Sequence, residues 1–379
     1  MCWLAACGLA VGAGLGFLLL VMVAVTSAGR LAACAVLAAG AAPVLLTQAW
    51  VERGRRWLQG GVVCVVVSLG LTGELVRRAP RGDEGPGAKL SSAHLGSVHF
   101  RRYSPGNLVP EVDQLLACFT VMALVDPLFT WRQSVELKEW TAQLYAELDQ
   151  DPEFARPGSA MPLVYDELLG WSPSIGHCFV YVPPGVDRAK PAPLLVFFHG
   201  SGGNFKGYLR VLAGVADRLG IVVAAPSYGM GNWQLPETEE AFETALRAAG
   251  RVASIAPDSI HAAGLSNGGL GVSQLASVRG AALRSLVLIS PVLDLERLRS
   301  PDFGRQCGDR PVLVMTGQED DRIPLAYVER GVAELAAAGA IPTLVVVPGA
   351  NHFLLFSHRE RAVATLVDWF ARYGVGGPP

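Results

Sequence analysis

Charge is what this chain most lacks. Only 17% of its 379 residues are Asp, Glu, Lys or Arg, against 51% apolar ones. That balance is too apolar for an ordinary soluble enzyme, so part of the chain is expected in lipid. The charges present nearly cancel, at a formal net of −2, and form no basic stripe. The electrostatic footprint of a nucleic-acid binder is therefore missing. No Cys or His spacing of the zinc-site kind occurs, so no metal site is expected. The seven cysteines are an odd number and scattered: Cys2, Cys7, Cys34 and Cys64 in the apolar N-terminal region, Cys118, Cys178 and Cys307 beyond it. They read as small buried hydrophobes rather than a disulfide framework.

Charge is also unevenly spread. None occurs from Met1 to Gly29; Arg30 interrupts, and Leu31 to Val51 is again uncharged. The cluster Glu52, Arg53, Arg55, Arg56 follows, and then Trp57 to Gly73 carries none. A bilayer core needs about 20 apolar residues per helix. The first two segments meet that length and the third is marginal, so two or three transmembrane helices are expected over residues 1–78. Three apolar blocks in succession do not fit a signal peptide. Gly8, Gly12 and Gly16 recur every fourth residue, the spacing of a close helix-packing face. Arginines on the two sides nearly balance, so the positive-inside rule leaves the orientation open. The Ala-, Gly- and Arg-rich usage is that of a bacterial chain, which would make the membrane a bacterial inner membrane.

Residues 79–160 read as a linker and helical connecting region. It is polar and rich in Gly, Pro and Ser as far as Gly106, with an apolar stretch at 115–125 too short to span and bounded by Asp113 and Asp126. That stretch is expected to pack on the following domain or lie at the membrane surface. A breaker-free helical pattern covers 134–150.

The segment 161–376 alternates. Apolar, β-prone runs at 178–182, 194–198, 221–225, 259–263, 286–289, 312–315 and 343–347 are mostly separated by helix-like stretches at 206–219, 237–254, 267–278, 325–338 and 358–373. Continuous apolar strands with helical crossovers predict an α/β domain: a mostly parallel sheet flanked by helices, here preceded by an all-α transmembrane segment. The first run ends in a Pro-Pro-Gly turn, so it can pair antiparallel with its neighbour.

Within this domain Gly264-Leu265-Ser266-Asn267-Gly268 fits G-x-S-x-G. With 43 glycines, chance alone gives roughly 0.3 such matches, so context carries the weight. The motif follows a predicted strand and opens a predicted helix, the setting of a nucleophile elbow. A serine needs a base to take its proton. Of the two later histidines, His352 in "VPGANHF" falls just after the last strand, where open α/β sheets place their sites. His358 reads as a solvated helix residue. A carboxylate must orient the base. "TGQEDDRIP" offers Glu319, Asp320 and Asp321, of which Asp320 is preferred, with Asp294 a weaker substitute. The oxyanion donors are expected at the Asn267 N–H and, in "FFHGSGGN", at the N–H of Ser201 or Gly202. Tyr228 and Trp233 in "PSYGMGNWQLP" are expected to line an acyl pocket, although an ordinary loop with one packed Trp explains them as well.

The four stretches "HGSGGN", "GLSNGG", "TGQEDDRIP" and "GANHF", in this order and spacing, resemble the α/β-hydrolase superfamily over about residues 175–375. The resemblance is to the branch of small serine esterases, dienelactone-hydrolase-like and polyhydroxyalkanoate-depolymerase-like proteins and prolyl-oligopeptidase-type catalytic domains. It implies that the Asp of G-x-x-D-x-x-[VI]-P is the acid, which falls on Asp320. It further implies acyl transfer through a Ser266–His352–Asp320 triad, with no cofactor. The expected protein is a membrane-anchored hydrolase of carboxylic esters, with a small or lipid-like ester as substrate. The alternatives are a peptidase of the same fold and a non-catalytic binding protein. No propeller-like domain precedes the hydrolase, which favours the esterase over an oligopeptidase.

Overall fold

The computed structural model describes residues 2–82, 84–85 and 87–373; the expected end of the hydrolase domain at 376 lies outside them. The chain divides into two compact units, Met1–Arg81 with Arg101–Gln143, and Gly82–Phe100 with Leu144–Pro379. The region expected to connect two domains is thus shared out, 101–143 going with the N-terminal helices and the rest with the sheet.

In the first unit the uncharged stretches form α1 (Cys2–Val23), α2 (Ser27–Glu52) and α3 (Arg55–Arg78). All three are long and apolar enough to cross a membrane. Of the glycine spacing in α1 only Gly16 faces the next helix: a Cβ built there would touch Val36 of α2 at 3.7 Å, while nothing comes within 4 Å of one built on Gly8 or Gly12. The close approaches are instead at Gly40 of α2, where a Cβ would collide with Ala13 of α1, and at Gly61 of α3, where it would strike Leu46 of α2. One small residue on the facing helix is enough to bring two backbones together, whatever the spacing on α1. Ser68 of α3 donates to the Ala35 carbonyl of α2 at 3.2 Å, a polar tie between apolar helices.

The apolar stretch near 115–125 forms α4 (Glu111–Val125), followed by α5 (Trp131–Asp149). Asp113, fully buried, fastens α4 to the α1–α2 turn. Its carboxylate accepts the N–H groups of Val25 (2.8 Å) and Thr26 (3.3 Å) and the Thr26 hydroxyl. Thr26 itself caps α2 by accepting from the Gly29 N–H. The negative charge sits at the positive end of the α2 dipole, where it is stabilised.

The second unit is one eight-stranded sheet in the order β1-β2-β4-β3-β5-β6-β7-β8. The strands are β1 (Leu90–His94), β2 (His177–Tyr181), β3 (Ala192–Phe198), β4 (Val222–Pro226), β5 (Ile255–Leu265), β6 (Ser285–Ile289), β7 (Pro311–Gly317) and β8 (Ile341–Val347). β2 runs antiparallel to both β1 and β4, and the remaining pairs are parallel. All seven expected runs are strands. β1 is an additional edge strand from the Ser-rich "LSSAH", too short and polar to show as one in sequence. The result is the mostly parallel, helix-flanked sheet expected from the sequence.

β2, β3, β4, β6, β7 and the carboxyl half of β5 are buried on both faces, and their side chains alternate. Leu194, Val196 and Phe198 share one core with Phe242, Val272, Leu275 and Val328. These last four lie on α8 (Glu237–Gly250), α9 (Asn267–Arg279) and α10 (Leu325–Ala337). On the other face, Phe197 packs against Tyr208 of α7 (Lys206–Leu219), and His261 against Phe370 of α11 (Arg359–Tyr373). One further helix, α6 (Met161–Leu168), falls between β1 and β2 in the chain. The register pairs Phe198 with Gly264, Leu265 with Ile289, Ile289 with Met315 and Gly317 with Val347. The carboxyl ends of β3, β5, β6, β7 and β8 therefore line up along one edge.

Candidate active site

That edge carries the candidate residues. β5 ends at Leu265, α9 begins at Asn267, and Ser266 alone makes the turn, with φ 52° and ψ −118°. Such a conformation costs a non-glycine residue about 1–3 kcal/mol and persists only where its surroundings hold it. Here the Ser266 N–H donates to the Ile289 carbonyl at 2.9 Å, and the Ser266 carbonyl accepts from Gly269 and Val292, each at 2.9 Å. The two glycines of the motif leave room for strand and helix to meet so sharply. A Cβ on Gly264 would strike the Gly268 carbonyl, and one on Gly268 would strike the Phe198 carbonyl at the end of β3.

His352, in the loop after β8, reaches Ser266. Its Nε2 lies 3.0 Å from Ser266 Oγ, and its Nδ1 lies 2.9 Å and 3.2 Å from the two Asp320 oxygens. Asp320, in the loop after β7, is buried, and its Oδ1 also accepts the N–H groups of Ile323 (2.8 Å) and Arg322 (3.1 Å). The carboxylate is acceptor only, so Nδ1 carries the proton and donates it. Nε2 is left with a lone pair facing the serine hydroxyl, which donates to it. The other candidates are occupied elsewhere: Asp294 caps a helical turn by accepting from the Arg297 N–H, and His358 Nδ1 lies 2.9 Å from the hydroxyl of its neighbour Ser357.

The loop after β3 lies against this elbow. A Cβ built on Gly200 would stand 3.3 Å from that of Ser266. Among the described residues, the N–H groups of Ser201 and Asn267 make no hydrogen bond within the protein, and that of Asn267 sits at the amino end of α9. Gly202 does not fit the expected donor role, because its N–H is already given to the Met230 carbonyl at 2.9 Å.

Trp233 is another correction. It has 0% exposure, so it cannot line a pocket. It packs against Phe198, His199 and Tyr228, and its indole N–H donates to the His199 carbonyl at 2.9 Å. Tyr228 is 8% exposed and contributes its backbone N–H to His199 Nε2 at 3.2 Å. The other His199 nitrogen, Nδ1, donates to the Gly200 carbonyl at 2.8 Å. His199 thus acts as donor and acceptor at once, as only a neutral imidazole can, and burial holds its pKa down to about 4. Sequence reasoning used "FFHGSGGN" for its glycines and passed over this histidine, the residue that fixes the loop.

A second buried histidine braces the loop from behind. His177 lies between the Ser92 hydroxyl (3.0 Å) and the Ser227 hydroxyl (2.7 Å). Asn204, in the loop after β3, donates to the same Ser227 oxygen at 3.0 Å and to the Ala225 carbonyl at 2.8 Å. Burial, then the neighbouring His94 and His199, hold the His177 pKa down to about 3. Glu167 of α6 accepts the Met230 N–H at 2.5 Å and the Asn232 side-chain amide at 3.0 Å. Among the described residues no group of three or more His, Cys, Asp or Glu is placed to hold a metal ion.

Comparison with known proteins gives a match over part of the chain and several structures of similar fold. The model of the Prolyl oligopeptidase family matches residues 302–375, a stretch that includes Asp320 and His352. No curated protein matches the chain. Similar solved structures include Est1E from Butyrivibrio proteoclasticus, 18% identical over 52% of this chain and 93% of that one, with a TM-score of 0.41. Esterase 2 of Thermogutta terrifontis is 19% identical over 54% and 91%, with a TM-score of 0.44. The acylaminoacyl peptidase of Pyrococcus horikoshii is 13% identical over 54% and 40%, with a TM-score of 0.43.

Proposed function

We propose that this chain, whose sheet unit is an α/β-hydrolase of the serine-hydrolase kind, is a membrane-anchored hydrolase of carboxylic esters that works through Ser266, His352 and Asp320. The observation that carries the reading is the unbroken relay from Ser266 Oγ to His352 Nε2 at 3.0 Å and from Nδ1 to Asp320 at 2.9 Å, on a backbone turn held in a strained conformation. The membrane part is supported by three helices of sufficient length and apolarity. A multi-pass protein of a bacterial inner membrane is the corresponding location.

In this mechanism Ser266 Oγ attacks the ester carbonyl carbon while its proton passes to His352 Nε2. The carbonyl oxygen becomes an oxyanion, held by the N–H groups of Asn267 and Ser201 and by the amino end of α9. Preorganised donors of this kind are worth about 3 kcal/mol each in the transition state. Asp320 stabilises the imidazolium and keeps Nε2 on the serine. His352 then gives the proton to the departing alkoxide, and the alcohol leaves an acyl-serine. Water, deprotonated by the same Nε2, attacks the acyl carbon, and the acid is released as Ser266 recovers its proton. The atoms needed come from ester, water and these side chains.

A peptidase is the second reading, favoured by the family match at 302–375. Both share the nucleophile, so one experiment tests both against a binding protein: labelling of the detergent-solubilised chain with a fluorophosphonate, beside Ser266→Ala. Labelling lost in the variant supports an activated serine. A folded wild type that does not label gives the binding-protein reading the lead. Acyl esters assayed beside aminoacyl amides then separate esterase from peptidase.

A further inference from the structure

We propose that the exposed turn Leu168-Leu169-Gly170-Trp171 docks the sheet unit onto the lipid bilayer beside its site, so that the site draws esters with long acyl chains out of the membrane. This rests on the serine-hydrolase and membrane readings above.

The turn ends α6, and α6 is built into the site's surroundings. Its residues Met161 to Val164 are buried. A Cβ on Gly203 of the oxyanion loop would meet Val164 at 2.5 Å. Glu167 holds the backbone of Met230, whose carbonyl in turn takes the Gly202 N–H. Leu168 is the next residue after that carboxylate. The turn itself is well fixed: Leu169 N–H bonds the Tyr165 carbonyl at 3.0 Å, Gly170 N–H that of Glu167 at 2.9 Å, and Trp171 N–H that of Asp166 at 3.0 Å. Gly170 takes the left-handed φ of 85° that closes it.

A turn so well held nonetheless leaves its apolar side chains bare. Leu168 is 64% exposed, Leu169 69% and Trp171 61%. Single exposed apolar residues are common on any surface, but three large ones packed into four positions mark a contact surface. The chain itself supplies the partner. Only residues 79–89 lie between α3 and β1, and a tether of that length reaches roughly 35–40 Å even when fully extended. A domain of about 250 residues has a radius of gyration near 18 Å. With α1–α3 in a membrane, the sheet unit never moves far from lipid. Leucine and tryptophan are the side chains that settle at the boundary of headgroups and acyl chains.

The test uses the full chain reconstituted in phosphatidylcholine vesicles. The fluorescence of Trp171, taken as the difference between wild type and Trp171→Phe, is expected to be quenched when the acyl chains are brominated. Absence of quenching overturns the docking, whatever the activity. In parallel, Leu168→Ser/Leu169→Ser/Trp171→Ser is compared with wild type on dioleoylglycerol carried in the vesicles and on soluble p-nitrophenyl acetate. The expected result is a loss of at least about tenfold on the embedded ester, with the soluble one within about twofold. Equal rates on both esters, or equal losses on both, overturn the proposal that the turn selects membrane substrates. A wild type that cleaves neither ester and does not label with fluorophosphonate overturns the serine-hydrolase reading instead, and the quenching result still decides the docking.

Discussion

Replacing Asp320 by Asn separates the role of the carboxylate from that of its mere presence, and the local hydrogen bonds say which way the amide must turn. Oδ1 accepts two backbone N–H groups, from Ile323 at 2.8 Å and Arg322 at 3.1 Å, while Oδ2 takes the shorter bond from His352 at 2.9 Å. An asparagine has one acceptor oxygen and one NH2 group. Putting the NH2 at the Oδ1 position would set it against two donors and cost two part-buried N–H groups this acceptor, at about 1 kcal/mol or more each. The carbonyl oxygen therefore takes that position, and the NH2 faces His352 Nδ1. Nδ1 must then become an acceptor, which moves the imidazole proton to Nε2, where it points at Ser266 Oγ. The base is lost while the packing and the turn remain. A wrong tautomer of this kind lowers kcat by roughly 10⁴, or about 5.4 kcal/mol of activation free energy. The assays are kcat on a short p-nitrophenyl ester and the rate of fluorophosphonate labelling, with thermal unfolding as control. Both rates should collapse while unfolding stays within a few degrees of wild type. Asp320→Ala, by contrast, strands the two N–H groups and should lose stability as well. An Asp320→Asn protein that keeps a tenth of wild-type turnover would refute the assignment of Asp320 as the group that sets the tautomer.

Other consequences follow from the residues that hold the site rather than act in it. Trp233→Ala should destabilise the sheet unit by about 3–5 kcal/mol and lower turnover without altering the preferred acyl-chain length; a shifted chain-length profile would return Trp233 to the pocket. His177, His199 and His261 are buried and held neutral, at pKa values of about 3, 4 and 4 against an ordinary 6.5. The unfolded chain takes up protons on these residues first, so stability is level above pH 6.5 and falls as the pH drops from there towards 4. The loss is about 2 kcal/mol per histidine by pH 5, and an unchanged unfolding midpoint between pH 7 and 5 would contradict it. Asp113→Ala should cost about 2–4 kcal/mol by unpairing the N–H groups of the α1–α2 turn, read as faster proteolysis between α1 and α2 in detergent.

How much of this was legible in the sequence depended on whether a position must be a particular residue or need only be compatible. Strands buried on both faces must be continuously apolar, so β2 to β7 read directly, while β8, an edge strand with only Val347 buried, reads from its β-branched run. β1 lies at the sheet edge, with one neighbour and little burial, and "LSSAH" is under no such demand. Of the spacing Gly8, Gly12, Gly16 only Gly16 meets α2, and the tightest approach between α1 and α2 is set by Gly40 on the partner helix. Asp113 is the opposite case. A carboxylate beside an apolar run marks only the boundary of that run, and only the fold shows that it fastens the turn before a helix far away in sequence.

The site divides along the same line. Ser266, Asp320 and His352 each follow their own strand, because a turn at the carboxyl edge is the place from which a side chain can reach its neighbours on adjacent strands. Strand order in the sequence therefore already orders the candidates in space. The groups that make the site rigid have no such rule. His199, Trp233, His177 and Glu167 act on backbone: His199 closes on the Gly200 carbonyl, Trp233 grips that of His199, His177 reaches Asn204 through Ser227, and Glu167 holds Met230. Any donor or acceptor of the right length can hold a carbonyl or an N–H, so residue type there signals nothing until the distances are known. The same logic explains the mistaken pocket. An aromatic in a loop beside a site looks like a substrate contact, but Trp233 has an indole N–H to satisfy, and the His199 carbonyl after β3 supplied the acceptor. The strained turn at Ser266 is held by other means, through backbone bonds to Ile289, Gly269 and Val292, so the sequence shows the serine while the groups that hold it carry no side-chain signature at all.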